Sequence, residues 1–122
     1  MKPGHAGPAR AAYDRVVADY FVVETVRGPC WEEGRPRRRQ PGWEAHGEFM
    51  DRLVDDGFVV IGGPVDDLDG DEALLVVDAA GEPEVRGRLA DDPWMDGVLR
   101  IKRIRAWTLW LGAPDGLRAR RQ

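Results

Sequence analysis

The chain has little of what most catalytic signatures require. It carries one cysteine, Cys30, and two histidines, His5 and His46. A single cysteine excludes an internal disulfide and fits a reducing compartment, so a cytoplasmic protein is expected. The sequence has no glycine-rich phosphate loop, nucleophile elbow or CxxC pair, and no bound cofactor is expected. The acidic run Asp66–Asp71 lacks the glycine and terminal glutamate spacing of an EF-hand loop, and with so few histidines no metal is expected. No apolar run approaches the ~20 residues of a membrane span, and the first residues show no apolar leader core. A membrane is therefore not an expected partner. The net charge of −4 likewise gives no general reason to expect nucleic acid.

What is present suits one small domain. At 122 residues the chain can build a single core but not two. The central stretch is Trp43–Pro64, WEAHGEFMDRLVDDGFVVIGGP. Apolar residues at Trp43, Phe49, Met50, Leu53 and Val54 recur at three- and four-residue intervals, the pattern of one buried helical face. His46 falls on that stripe, near the start of the helix. Gly57 ends it, Phe58–Ile61 reads as a strand, and Gly62-Gly63-Pro64 reads as a turn.

The flanking segments complete the order. A first strand is expected at Asp19–Val26, rich in β-branched and aromatic residues. A long loop to Pro41 follows, with Arg35, Arg37, Arg38 and Arg39. Loops of this length inside a compact domain are usually functional or disordered. After the acidic turn come a strand at Glu72–Val77 and a short helix at Pro83–Ala90, stopped ahead of Pro93. A long last strand is expected over Arg100–Leu111, with a bulge where its alternation changes phase between Ile101 and Ile104. Residues 1–18 read as a flexible arm, 19–111 as the domain and 112–122 as a basic tail.

The order β-α-β-β-α-β is an α+β, ferredoxin-like arrangement, an antiparallel sheet with both helices on one face. Apolar residues on the other sheet face call for a cover, and a second copy of the chain supplies it, so a homodimer is expected. With the two helices taken as parallel, His46 and Asp92 fall at opposite ends of the layer. They then meet within one chain if the Pro93–Gly97 connector folds back or His46 sits deeper in its helix, and otherwise across the dimer.

The spacing also resembles that of the YciI-like (YCII-related) family. The matching residues are His46, eleven residues before Gly57, then the apolar strand Phe58–Ile61 and Gly63-Pro64. Asp92-Pro93-Trp94 follows the second helix, and Trp107 lies near the end of the last strand. The resemblance implies a ferredoxin-like fold assembled as a dimeric α/β barrel. It also implies a His46–Asp92 catalytic dyad and a small-molecule substrate. Relatives include a dehydrochlorinase acting on a chlorinated aromatic diol. The chain departs from the family at Trp43, where an arginine is common, and its loop before the helix is longer.

These readings define the candidate site. An imidazole moves protons near neutral pH because its ordinary pKa lies close to 6.5. His46 is thus the expected base and Asp92 its orienting partner. Trp43 and Trp94 would shape an apolar wall, Gly63 and Pro64 would let backbone approach a ligand, and Arg39 would hold an anionic substituent. The bland alternatives are a core histidine with one hydrogen bond, a helix-ending aspartate, packed tryptophans and a solvated arginine loop. The expected function is a small cofactor-independent enzyme of lyase or isomerase type, dehydrochlorinase-like in one form, acting on a small organic molecule that is cyclic or aromatic. The alternatives are a non-catalytic, ligand-binding dimer and an interaction module using the basic tail or loop.

Overall fold

The computed structural model describes residues 20–109 and 111. The expected arm and basic tail lie outside them. The elements are β1 (Tyr20–Arg27), α1 (Trp43–Asp55), β2 (Val59–Pro64), β3 (Ala73–Asp78), α2 (Glu82–Leu89) and β4 (Leu99–Ala106). Short 3-10 turns occupy Arg37–Arg39 and Pro93–Met95. The four strands form one sheet in the order β2-β3-β1-β4, each antiparallel to its neighbours. This is the ferredoxin-like α+β arrangement.

The core lies between the helices and one sheet face. Phe49 and Leu53 of α1 and Val85 and Leu89 of α2 pack with Val23, Val59, Leu75 and Val77. Burying each such side chain contributes about 1.5–3 kcal/mol. The helical stripe divides in two: Phe49 and Leu53 enter the core, while Val54 stays 51% exposed. Gly57 closes α1 at a φ of 81°, where other residues are strained. Its N–H donates to the Val54 carbonyl and that of Phe58 to the Leu53 carbonyl, both at 2.9 Å, the two bonds of a Schellman ending.

Topology corrects one expectation. β1 and β2 both run antiparallel to β3, so they are parallel to each other and α1 must run back between them. β3 and β4 are related in the same way through β1, and α2 must run back in turn. Since β1 and β3 point in opposite directions, so do the two helices. The start of α1 and the end of α2 therefore share one end of the layer, and the separation of His46 from Asp92 does not arise. Arg27 faces Leu99 there, and the Gly28 N–H donates to the Val98 carbonyl at 2.8 Å. The Cys30 N–H donates to the Gly97 carbonyl at 2.7 Å.

Two strand boundaries also differ from expectation. Gly62-Gly63-Pro64 is not a turn but the end of β2, opposite Leu75, Leu74 and Ala73. β2 is an edge strand, the position in a sheet where proline is tolerated. β4 stops at Ala106 rather than Leu111. Its partner β1 begins at Tyr20, whose carbonyl accepts the last bond, from the Trp107 N–H at 2.9 Å. The bulge lies where the phase change put it. Glu24 faces Arg103 and Thr25 faces Ile101, so Lys102 is the extra residue and Ile101 and Ile104 both reach the core.

Alternation directs Val22, Glu24 and Leu74 to the sheet face away from the helices. Glu24 pairs there with Arg103 at 2.7 Å and Arg105 at 3.0 Å, while Leu74 and Trp107 are 41% and 44% exposed.

A Cβ added at Gly28 would stand 2.3 Å from the Gly97 carbonyl oxygen, a backbone atom with little freedom to withdraw. Gly28→Ala is expected to cost about 1–3 kcal/mol, the usual range for forced overpacking, measured by urea unfolding.

Candidate functional site

The shared end of the two helices brings His46 and Asp92 together within one chain. His46 sits in the first turns of α1, its N–H donating to the Gly42 carbonyl at 2.9 Å. Asp92 caps the 3-10 turn Pro93–Met95 and accepts from the Trp94 N–H at 2.9 Å. His46 Nδ1 lies 2.8 Å from Asp92 Oδ2 and 3.0 Å from Oδ1. Both residues are buried, at 6% and 3% exposure. A carboxylate only accepts, so Nδ1 carries the hydrogen it donates. In the neutral ring the lone pair then belongs to Nε2.

Trp94 holds the pair from behind. It is 1% exposed, and its indole stacks on the imidazole with centroids 4.0 Å apart and planes 11° from parallel. Its Nε1 donates to the Pro41 carbonyl at 2.7 Å, tying the turn after α2 to the loop before α1. Trp43 flanks the same group, 5.9 Å from His46 and 5.7 Å from Trp94 between centroids. Trp31 meets Trp94 edge-on at 6.3 Å.

A cleft of about 400 Å³ opens beside His46, between α1 and the β2–β3 edge. Trp43, His46, Gly63 and Pro64 line it, as do Arg37 and Met50. Trp94 does not line the cleft; it backs the histidine. Arg39 is exposed and outside the lining, and the arginine that reaches the cleft is Arg37. With Nδ1 turned to Asp92, Nε2 is the ring nitrogen left for the cleft. A base held in one tautomer beside an apolar-walled pocket can take a proton from a bound molecule.

Arg37 was one of four arginines in a loop, and nothing in its immediate sequence separated it from Arg39. The fold does. Arg38 pairs with Asp69 through two bonds of 2.7 Å. The Arg37 N–H donates to the Asp69 carbonyl at 2.7 Å, and its Nη1 to the Gly70 carbonyl at 3.2 Å. The Arg37 guanidinium lies 5.4 Å from the Trp94 ring centroid. Burial pulls this guanidinium below its ordinary pKa, and the charges of Asp71 and Asp92 act the other way.

A larger cleft, about 500 Å³, lies between the arginine loop and the acidic turn. Its two lining arginines are already engaged by carboxylates, Arg27 with Asp71 and Glu33 and Arg35 with Glu32, and the rest of its charged lining, Asp66, Asp67, Asp69 and Glu72, is acidic. It holds no residue of the His46 cluster apart from Trp31 behind it, so the smaller cleft is the candidate site. Among the described residues no group of His, Cys, Asp and Glu is arranged to hold a metal ion.

Comparison with known proteins bears on this geometry. The family model described as YCII-related domain matches residues 21–108. A solved structure of 5-chloro-2-hydroxyhydroquinone dehydrochlorinase from Burkholderia phenoliruptrix AC1100, in complex with 2,5-dihydroxybenzoquinone, is similar with a TM-score of 0.53. The two are 20% identical over 71% of this chain and 92% of the other, a likeness that shows the fold. No curated protein matches the sequence.

Removing the Asp92 carboxylate leaves the Trp94 N–H and the His46 Nδ1–H without their acceptor in a buried place. Asp92→Ala is expected to destabilise the chain by about 1–3 kcal/mol. Asp92→Asn, which keeps an accepting oxygen for the Trp94 N–H, should cost less; urea unfolding compares the two.

Proposed function

Because the chain belongs to the YCII-related domain family, we propose that it is a small enzyme of lyase or isomerase type. On this reading His46 moves a proton on a small organic, cyclic molecule bound in the cleft. The carrying observation is the buried contact of His46 Nδ1 with both Asp92 oxygens, which leaves Nε2 to a cleft of about 400 Å³. That volume is within the range of small-molecule sites. Asp92 orients the ring and would stabilise the imidazolium formed when the proton arrives. Trp43 shapes an apolar wall, and Gly63 and Pro64 bring backbone close. The reaction invokes no cofactor. In an elimination, the electron pair of the broken C–H bond becomes a new double bond as a leaving group departs with its own pair. In an isomerisation the proton returns elsewhere.

The structurally similar dehydrochlorinase makes a chlorinated, hydroxylated aromatic ring the first substrate to try. His46→Gln is expected to lower turnover by about 10²–10⁴-fold, the usual share of a general base, while the melting temperature changes little. Full activity in that variant, on a substrate the wild type turns over, would remove His46 from the chemistry.

One observation favours the second reading, a non-catalytic ligand-binding module. The close stack of Trp94 on His46 is also what a purely packed histidine would show. That reading gives saturable binding of 2,5-dihydroxybenzoquinone with no turnover of a chlorinated hydroxyhydroquinone, and a loss of stability in His46→Gln.

The working form of this reading is a cytoplasmic homodimer with sheet packed against sheet. Val22, Leu74 and Trp107 on the face away from the helices support the sheet-on-sheet packing. Scattering at micromolar concentration is expected to give twice the chain mass, and a monomer would exclude the dimer.

A further inference from the structure

The cleft beside His46 contains a cation that the proton-transfer reading does not use. Arg37 lines it at 8% exposure. A guanidinium has five N–H donors, and among the described residues the Arg37 side chain donates to the Gly70 carbonyl and forms no salt bridge. The two carboxylates whose charges act on it are engaged elsewhere. Asp71 accepts from the Arg27 N–H at 3.0 Å and pairs with the Arg27 guanidinium, and Asp92 accepts from His46 and the Trp94 N–H. Burial without a contacting counter-ion is costly for a cation, and an arriving anion would relieve it.

The guanidinium is also held in place. Its backbone is bonded to Asp69, its Nη1 to Gly70, and it lies over the Trp94 ring. A fork fixed in this way can meet an oxyanion through two donors at small entropic cost.

We propose that Arg37 makes this cleft selective for a small ring compound bearing an oxyanion, a carboxylate, phenolate or enolate oxygen, with the guanidinium bound to that oxygen and the ring between Trp43 and the Gly63-Pro64 edge. The proposal rests on the reading of the cleft as the working site. It adds that the ligand binds in its anionic form, held by Arg37 rather than by the exposed Arg39.

Benzoate and benzamide, which match in shape and differ in charge, test it on the full chain. Binding is followed by tryptophan fluorescence and by the ring resonances of His46. Wild type is expected to bind benzoate about tenfold or more tightly than benzamide, the size of one charge-assisted contact. In Arg37→Met the ratio should fall to about one by the same reasoning, with the benzamide affinity little changed. Arg37→Lys, which keeps a charge without the fork, should retain an intermediate preference and serves if the methionine variant does not fold. Unsaturable benzoate binding, equal wild-type affinities, or an undiminished preference in either Arg37 variant would overturn the proposal. No turnover is involved, so the result stands or falls separately from the role of His46 as a base.

Discussion

A carboxylate at 3% exposure has to be met by donors, and the folded end of this domain is organised by meeting that of Asp92. The Trp94 N–H satisfies it from within its own turn, and His46 reaches it from the first turns of α1. The Trp94 indole then stacks on His46 and donates to Pro41. One buried charge thereby links the turn after α2, the start of α1 and the loop that precedes it. Truncating any one partner to alanine leaves the others with an unmet polar atom or an unsupported ring, so the group acts as a unit. The same bond that satisfies the carboxylate sets the tautomer of the imidazole, and structure and chemistry share a cause.

The arginine loop works on a different energetic scale. Its exposed pairs, Arg35 with Glu32 and Arg38 with Asp69, are each worth little because water screens them. Their effect is geometric. Together with the bonds from Gln40 to Glu32 and Arg35, they give a long connection one course and carry Arg37 inward. Gln40, at 2% exposure, satisfies three backbone groups that a buried loop would otherwise leave bare. A loop that sequence reading takes as either functional or disordered is here an ordered arm delivering a cation to a cleft.

Much of this was legible in the residues. The helical stripe, the glycine stop at Gly57, the βαββαβ order and the bulge beside Lys102 all follow from local spacing, because side-chain period and backbone sterics act over a few residues. The pairing of Gly62-Gly63-Pro64 with β3 was not legible, since glycine and proline in sequence resemble a turn and only an edge position makes them a strand. Nor was the choice among four arginines. Arg37 and Arg39 differ in what surrounds them, and that is decided by the acidic turn more than thirty residues away.

The sequence by itself determined the elements, their order and the presence of His46 on the inner stripe of a helix. It also held the spacing that marks the family, through His46, Gly57 and Asp92-Pro93-Trp94. Only the tertiary structure decided that His46 and Asp92 meet. Their contact depends on the relative direction of the two helices, which antiparallel pairing of β1 with β3 imposes and no local pattern encodes. The same long-range pairing chose Arg37, for the direction of a strand and the neighbours of a loop are properties of the whole sheet.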